Sequence, residues 1–401
     1  MTNEEYIDKH SNDDVRKLAL SHIPDGVDAL WCMQQIEGRQ LAKKKLPLWA
    51  QTRGLWFPPK LAMEQCSSEH AAQYKLHAVE RLLADKKERN TLVDLTGGFG
   101  VDFSFIASVF RNAVYVEKQP ELCKIAEHNF SLLGIDHVEV ICADSISYLQ
   151  SCQSNISLVY LDPARRDEAK RKMVALEDCS PNVVEMQDTL LDKAALVMMK
   201  LSPMLDISMA LRKLGSVTEL HVVSVRGECK ELLLILSKSK SVPTIHCVNL
   251  ETTDPEVVHP IGEDSKQQAK LCDEMGNYLY EPNASVLKAG VQDDVARSHN
   301  LLKLHNDSHL YTCNEWRDDY PGRSFKVVDS CGFGKHGLRR MLSDIRQANI
   351  TVRNFPATAD ELHKKLKLKD GGDIYLFATT MANGQHILIK CKKHTKTPPY
   401  S

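Results

Sequence analysis

The sequence of 401 residues has no apolar run that approaches the roughly 18 residues needed by a membrane-spanning helix. Its first residues, Met1 to Tyr6, are polar and acidic, whereas a secretory signal combines a basic start with an apolar segment. Hydrophobic residues make up 43% of the chain and charged residues 26%, as in ordinary globular proteins. We therefore expect a cytoplasmic protein without membrane contact, large enough for about two or three domains.

The sequence also lacks any C-x-x-C pair, which is a common signature of zinc sites and dithiol redox centres. Its 12 cysteines are scattered singly along the chain. Four of them lie among apolar residues, as reduced core cysteines do: Cys123, Cys142, Cys179 and Cys229. We expect reduced thiols and no bound metal.

A strong overall charge is absent too, because the formal net charge is only −2. The distribution is nevertheless uneven. Residues 321–401 contain 15 Lys+Arg and 6 Asp+Glu, a net of +9, and the remaining residues carry a net of −11. A basic end indicates an anionic partner such as nucleic acid, although a solvated basic surface without a partner is the plainer interpretation.

Four stretches of the chain differ in pattern. Residues 1–70 have helical spacing and no strand alternation. Residues 71–240 alternate strands and helices, which predicts a parallel sheet covered by helices on both faces. Residues 241–320 form a small α+β module or a linker, with a helix expected over Ala284–His299. Residues 321–401 follow the order β-α-β-α-β-β.

Within the last stretch, one helix is predicted over Gly337–Ala348 and another over Thr358–Leu366. The two final strands are expected to pair across Asn383-Gly384, which is a strong hairpin signal.

The segment Val93–Phe103 combines a buried strand, a glycine-rich turn and the start of a helix. Three glycines between positions 97 and 100 leave the turn without side-chain bulk, so a ligand can approach the backbone and the N–H groups of the helix start. A dinucleotide site would need G-x-G-x-x-G, but Phe103 occupies the third glycine position. Asp94 and Asp102 flank the turn, and their carboxylates would repel a pyrophosphate. The residues therefore favour a cationic ligand without phosphate.

With an acid ahead of its glycines, this turn resembles the cofactor loop of the class I S-adenosylmethionine-dependent methyltransferases. The resemblance continues along the chain, because the next three strands also end in an acid: Glu117, Asp144 and Asp162. In that family the second acid holds the ribose hydroxyls and the third meets the adenine amine. The resemblance implies S-adenosyl-L-methionine as the cofactor, held by Asp94, Thr96, Gly98, Gly100, Glu117, Asp144 and Asp162.

The resemblance implies an α/β fold class: a doubly wound Rossmann-like methyltransferase sheet with an antiparallel last strand, an N-terminal helical segment and a small C-terminal α+β domain. Strands are expected over Val217–Val225 and Glu231–Ser237, and the short turn region at Arg226-Gly227-Glu228 requires them to be antiparallel. The methyltransferase fold ends its sheet in such a reversed pair, and the dinucleotide fold does not.

The fourth acidic strand end opens the segment 162–166, with the sequence Asp-Pro-Ala-Arg-Arg. Class I enzymes that methylate bases or amines carry D/N-P-P-Y/F/W here, where the polar residue orients the attacked nitrogen and the aromatic ring stacks on the base. Ala164 and Arg165 depart from this pattern. We interpret Asp162, Pro163 and Arg165 as catalytic, with Arg165 or Arg166 stacking on a base or clamping a phosphate. The alternative for both arginines is a salt bridge within the loop.

The 5-methyluridine enzymes share an Asp-Pro-x-Arg sequence at this point and place a nucleophilic cysteine after the fifth strand. Here Ser202 occupies that position within Met199–Pro203. A hydroxyl adds to a pyrimidine ring far less readily than a thiolate does, so carbon methylation by that route is disfavoured. Asp162 is instead expected to accept a hydrogen bond from a target nitrogen.

The element order and basic surplus of residues 321–401 resemble the THUMP-like domains that accompany some RNA methyltransferases. This resemblance implies structured RNA, ribosomal (rRNA) or transfer (tRNA), as the partner and a base nitrogen as the methyl acceptor. Two alternatives stay open: a non-catalytic RNA-binding protein that retains the cofactor fold, and a small-molecule or protein methyltransferase. Upstream, Gln65–Lys75 is either a capped helix start or a lid over the cofactor or substrate.

Overall fold

The computed structural model describes residues 1–152, 155–165, 176–239, 242–261 and 267–393. They form two compact units: Met1–Leu220 with Glu231–Ser241, and His221–Lys230 with Val242–Ser401. The four stretches distinguished by sequence pattern stay a prediction. Among the described helices, none combines the length and the apolar character required to cross a membrane.

The first unit begins with six helices: α1 (Asn3–Lys9), α2 (Val15–Leu18), α3 (Ala29–Lys45), α4 (Pro47–Gln51), α5 (Lys60–Gln65) and α6 (Glu69–Leu82). Side-chain caps begin several of them. Thr2 and Glu5 form a capping box at α1, and Asp28 accepts a hydrogen bond from the backbone N–H of Trp31 at α3. The helical character predicted for the N-terminal segment is confirmed.

A sheet follows these helices. Its strands, with one small separate pair (β5 and β6), are β1 (Thr91–Asp94), β2 (Asn112–Glu117), β3 (Val138–Cys142), β4 (Ile156–Leu161), β5 (Ala164–Arg165), β6 (Cys179–Ser180), β7 (Ala194–Leu201), β8 (Val217–Val225) and β9 (Glu228–Leu236). The helices between them are α7 (Val101–Ala107), α8 (Pro120–Leu132), α9 (Ser145–Ser151), α10 (Val183–Lys193) and α11 (Ile207–Lys213).

The order in this sheet is β3-β2-β1-β4-β7-β9, with β8 beside β9. The first five of these strands are parallel, and β9 runs antiparallel to β7. The hairpin of β8 and β9 contributes residues to both units. The predicted fold class, a doubly wound sheet with a reversed strand near its end, is confirmed.

Two apolar clusters stabilise the first unit. One lies between the sheet and its helices and includes Phe103, Tyr115 and Phe130. The other belongs to the N-terminal helices, and Phe99 of the glycine turn packs into it, with its ring centroid 4.9 Å from that of Trp49. The N-terminal helical segment therefore shares its core with the turn.

The second unit contains β10 (Thr244–Leu250), β11 (Val257–Pro260), β12 (Tyr278–Pro282), α12 (Ala284–Ala289), α13 (Gln292–Ser298), β13 (Leu302–Lys303), β14 (Tyr311–Cys313), β15 (Gly322–Gly332), α14 (Lys335–Leu342), β16 (Asn349–Val352), α15 (Ala359–Leu366), β17 (Ile374–Thr380) and β18 (His386–Lys393). One sheet has the order β13-β14-β12-β15-β18-β17-β16. The predicted β-α-β-α-β-β order and the hairpin across Asn383-Gly384 are confirmed.

Three local expectations were wrong. The helix expected over Ala284–His299 is two helices, because Gly290 adopts φ +76° and ends α12. The helix expected to reach Ala348 ends at Leu342, where the N–H groups of Ser343 and Ile345 donate to carbonyls three residues back instead of four. Among the four cysteines assigned to the core, Cys142 is exposed and Cys229 only half-buried, although none of the twelve forms a disulfide.

Helix α3 passes so close to residue 57 that a Cβ added to Gly38 would lie 2.3 Å from the Cβ of Phe57. Alanine normally favours a helix over glycine by roughly 1 kcal/mol. We nevertheless expect Gly38→Ala to lower the free energy of unfolding by about 1–3 kcal/mol, because the backbone must shift. Urea unfolding measures this. Gly215→Ala is the matched control, since no atom lies within 4 Å of its Cβ position. Equal stability of both variants would contradict the close approach.

Candidate active site

The four acidic strand ends lie at one edge of the parallel sheet. The register pairs Asp94 of β1 with Tyr115 of β2 and with Tyr160 of β4, and it pairs Glu117 of β2 with Cys142 of β3. Asp144 and Asp162 then follow β3 and β4 directly. The carboxyl edge of such a sheet is where open α/β folds bind their ligands.

Thr96 connects the ends of β1 and β4. Its backbone N–H donates to Asp94 Oδ1 at 2.9 Å, and its Oγ1 accepts the N–H of Asp162 at 2.6 Å. Asp94 is only 1% exposed, and this burial raises its pKa well above the usual range. Asp94 and Thr96 therefore fix the backbone from which Asp162 projects.

Glu117 holds the glycine turn through the backbone. Its Oε2 accepts the N–H of Gly98 and its Oε1 accepts the N–H of Gln119, both at 2.9 Å. Each carboxylate oxygen retains a further lone pair for a ligand hydroxyl. A Cβ on Gly97 would lie 2.2 Å from the Tyr115 ring, and Gly100 adopts φ +81°, so both positions require glycine.

Asp144 caps the next helix. Its Oδ1 accepts the N–H groups of Ile146 at 3.0 Å and Ser147 at 3.1 Å, and its side chain is exposed. This cap places the carboxylate at the same edge as Asp94 and Glu117. The contact with an adenine amine that the resemblance implies for Asp144 stays a prediction.

Behind the carboxyl edge lies a buried group of charged side chains that the sequence analysis missed. We call it the ion cluster, and it consists of Ser67, Lys75, Asp102, Tyr160, Lys200 and Glu231. Asp102 Oδ2 accepts hydrogen bonds from Ser67 and from Tyr160, each at 2.7 Å. All six residues have side chains that are nearly or completely buried.

Lys75 is completely buried and has three acceptors for its three protons. They are Glu231 Oε1 at 2.6 Å, Asp102 Oδ1 at 3.0 Å and Ser67 Oγ at 3.1 Å. Burial of an ion costs less when an opposite charge lies beside it. The cluster thus connects α6, α7 and β9 through buried ion pairs.

Lys200 of β7 is the second cation of the cluster. Burial alone would lower its pKa, but the carboxylates of Asp162 and Asp102 raise it above the usual value. Burial would likewise raise the pKa of Asp102, yet Lys75 and Lys200 hold it well below the usual range. Burial raises the pKa of Glu231, an effect that Lys75 partly offsets. Lys200 and Asp102 are therefore both charged at neutral pH.

The ion cluster reaches the predicted catalytic segment through one contact. Lys200 Nζ lies 2.5 Å from Asp162 Oδ2, and the Asp162 side chain is 40% exposed against 11% for Lys200. Pro163 is buried beside it. The backbone of Ala164–Arg165 forms β5 and pairs with β6. The Arg165 side chain and all of Arg166 lie outside the described residues, so their roles stay predictions.

The segment Gln65–Lys75 supplies two buried side chains to the ion cluster and the first turns of α6. Ser68 is the N-cap of α6 and accepts the N–H of Ala71 at 3.4 Å, which confirms the capped helix start. Ser67 and Lys75 point into the ion cluster. The role of the segment as a lid stays a prediction.

Asp102 should make stability depend on pH in a defined direction. Because its pKa is depressed in the folded protein, ionised Asp102 stabilises the fold above about pH 4, the usual aspartate pKa, and this contribution is lost as the pH falls toward the folded-state pKa. We expect Asp102→Asn to cost about 3–5 kcal/mol at pH 7, since two buried lysines lose a counterion. Urea unfolding should show a difference that is constant from pH 7 to about pH 5 and shrinks as the pH falls further to pH 3.

The matched control for this experiment is Asp136→Asn, which changes an exposed aspartate of the same unit. It should alter the free energy of unfolding by less than about 0.5 kcal/mol. A pH-independent difference between wild type and Asp102→Asn would contradict the charged state assigned to Asp102.

Two family models match the chain in its second unit. Residues 278–321 match a ferredoxin-like domain, and residues 322–393 match a THUMP domain-like family. The THUMP-like assignment of the C-terminal part is thereby confirmed. The comparison with curated proteins returned no match.

Distant likenesses to solved structures also exist. A candidate RNA methyltransferase from Pyrococcus horikoshii has 15% identity and a TM-score of 0.34, with coverage of 51% of this chain and 98% of that chain. An rRNA methylase from Streptococcus thermophilus has 16% identity and a TM-score of 0.30, with coverage of 42% and 94%. At this identity and TM-score, these matches establish no shared function.

One solved structure matches over almost the whole length. It is a candidate methyltransferase from Porphyromonas gingivalis W83, with 32% identity, a TM-score of 0.86 and coverage of 98% of both chains. At this coverage, the matched region extends over both units of the chain. Identity at this level over the full length shows common descent, and the chain therefore belongs to the family of this candidate methyltransferase from P. gingivalis.

Proposed function

We propose that the protein uses S-adenosyl-L-methionine to methylate a base nitrogen of structured RNA, ribosomal or transfer. The observation that carries the proposal is the convergence of four acidic side chains on one sheet edge beside a glycine turn. They are Asp94, Glu117, Asp144 and Asp162. Membership of a methyltransferase family supports the reaction class.

The donor set fits this cofactor. A site lined by carboxylates attracts a cation and repels phosphate, which disfavours a dinucleotide. Glu117 is positioned to accept hydrogen bonds from ribose hydroxyls, and a Cβ at Gly98 would meet only the carbonyl of Thr96, at 3.7 Å, so the turn is open there. When bound, the cofactor supplies an electrophilic methyl group on a sulfonium.

The reaction then depends mainly on positioning, because a sulfonium is a good leaving group. Asp162 projects from a backbone that Thr96 holds, and buried Pro163 stiffens the turn after it. The Asp162 carboxylate accepts a hydrogen bond from the N–H of the target nitrogen and directs the lone pair of that nitrogen to the methyl group. Arg165 is proposed to bind the substrate base or phosphate.

The THUMP-like residues 322–393 are proposed to bind the RNA. Helices α14 and α15 both pack on one apolar cluster of the second unit, which leaves their polar faces outward. Lys335 and Arg339 on α14, and Lys364 and Lys365 on α15, are exposed or largely so. Exposed cations on adjacent helices are suited to phosphate contacts.

Because Glu117 is assigned to cofactor binding and Asp162 to methyl transfer, replacing each should impair a different step. Glu117→Ala should weaken S-adenosyl-L-methionine binding by about 1–3 kcal/mol through lost charge-assisted hydrogen bonds. Asp162→Ala should bind the cofactor within about tenfold of wild type, yet transfer the methyl group at least about 100-fold more slowly, since its contact matters in the transition state. Calorimetry gives the affinities. Single-turnover transfer of a labelled methyl group to total RNA from cells lacking the enzyme gives the rates.

The matched control is Glu139→Ala, which removes an exposed carboxylate of β3 and should change neither quantity. A wild-type rate in Asp162→Ala would place the chemistry elsewhere. Binding of the cofactor without transfer by the wild-type protein would favour a non-catalytic RNA-binding protein. Transfer to a small molecule or protein only would favour the other alternative.

RNA binding should respond to charge reversal on α14. We expect Lys335→Glu with Arg339→Glu to weaken binding of an unmodified tRNA transcript or rRNA fragment, and to reduce the slope of log K against log salt by about 1–2, because each lost phosphate contact releases one fewer counterion. Fluorescence anisotropy over a salt series measures both. Deletion of residues 321–401 is less informative, since β15 pairs with β12 in one sheet.

The matched control is Lys86→Glu with Lys87→Glu, which introduces the same charge change on exposed residues of the first unit. If both double variants lose equal affinity, the effect is one of overall charge and the docking role of α14 is contradicted.

A further inference from the structure

We infer that Lys200 is a positioning residue for methyl transfer, acting by fixing the carboxylate of Asp162 from inside the protein. The inference rests on the proposed function. The resemblance to methyltransferases assigns no role to Lys200. From the sequence alone, Lys200 is simply one residue of strand β7.

The geometry leaves Lys200 without freedom to move. Its Nζ lies 2.5 Å from Asp162 Oδ2, 3.2 Å from Ser67 Oγ and 3.4 Å from Asp102 Oδ2, so three acceptors surround three protons. Lys200 belongs to a central strand, between the fully buried Met199 and the buried Leu201. Its long side chain is therefore held at both ends.

Asp162 is consequently held at two points. Thr96 Oγ1 accepts its backbone N–H at 2.6 Å, and Lys200 binds one of its carboxylate oxygens. The side chain remains 40% exposed, so the rest of the carboxylate is accessible to a substrate. A carboxylate fixed in this way presents a hydrogen-bond acceptor in one direction.

The formal charges of the ion cluster indicate that its contact with Asp162 serves something other than charge neutrality. By formal charge, Lys75 and Lys200 already balance Asp102 and Glu231. The charges of these four residues therefore cancel without Asp162, so stabilising the fold does not require the contact between Lys200 and Asp162. The additional contact delivers a buried cation to the solvent-facing carboxylate of the predicted catalytic segment, and Asp162 carries the remaining negative charge.

Removal of this cation should affect the rate more than the affinity for the cofactor. We expect Lys200→Met to lower the single-turnover rate constant by about 10–100-fold, because a misplaced catalytic contact costs about this much, while the Kd for S-adenosyl-L-methionine stays within about fivefold. Lys200→Arg retains the cation and should lose less than Lys200→Met. The substrate is total RNA from cells lacking the enzyme.

A double-mutant cycle separates this role from a structural one. If Lys200 acts through Asp162, the double variant Asp162→Ala/Lys200→Met should be no slower than Asp162→Ala alone. Losses that multiply would overturn the inference. Lys75→Met is the comparison for stability, since it removes a buried lysine of the same cluster that does not contact Asp162. An equal rate loss in Lys75→Met at equal stability would also overturn the inference.

The contact itself can be observed without any activity. With lysine labelled at Nζ by 15N, the Lys200 ammonium should give a slowly exchanging signal that is absent in Lys200→Arg and shifted in Asp162→Ala. This test remains decisive if Lys200→Met fails to fold, because an unshifted signal would exclude the contact. A wild-type protein that transfers no methyl group would overturn the proposed function and the inference together, whereas an active protein with an additive cycle would overturn the inference alone.

Discussion

Asp102 forms the interaction on which the arrangement of the first unit depends. Its two oxygens accept hydrogen bonds from a loop serine, a helical lysine and a strand tyrosine, and its charge offsets that of Lys200. Charged groups are costly to bury, and here the cost is offset because each carboxylate of the cluster is paired with a lysine. This requirement fixes the distances between α6, α7, β4, β7 and β9 more narrowly than apolar packing does, since ion pairs are directional and apolar contacts are not.

The glycine turn is held by apolar packing at Phe99 and by a hydrogen bond at Gly98. Phe99 packs among the aromatic rings of the N-terminal helices, and Glu117 holds the adjacent Gly98 N–H. The N-terminal helices and the end of β2 therefore both stabilise the conformation of the turn. Phe99 lies between two glycines of the turn, and its ring connects the N-terminal helical segment to the candidate cofactor site.

Sequence patterns predicted the succession of strands and helices and the acids at the strand ends, because both follow from local periodicity and from the position of acids after apolar runs. They could not predict the ion cluster, since Lys75 lies in a helical pattern and Lys200 in a strand, where single lysines normally face solvent. Their burial results from pairing with Asp102 and Glu231, which are distant in sequence. The break at Gly290 was missed because a single glycine is tolerated inside a helix, and the sequence does not show whether it adopts the left-handed conformation that ends α12.

The near-neutral net charge of the chain conceals two opposite local environments. Within the first unit, carboxylates meet at one sheet edge, an arrangement that attracts cations. Within residues 322–393, exposed lysines and arginines on two helices favour anions. The proposed reaction joins a cationic cofactor to an anionic polymer and would use both environments, each strong locally and nearly cancelled in the sum. Lys200 is the exception that clarifies this division, because a buried cation beside the acidic edge orients one carboxylate without exposing positive charge to the site.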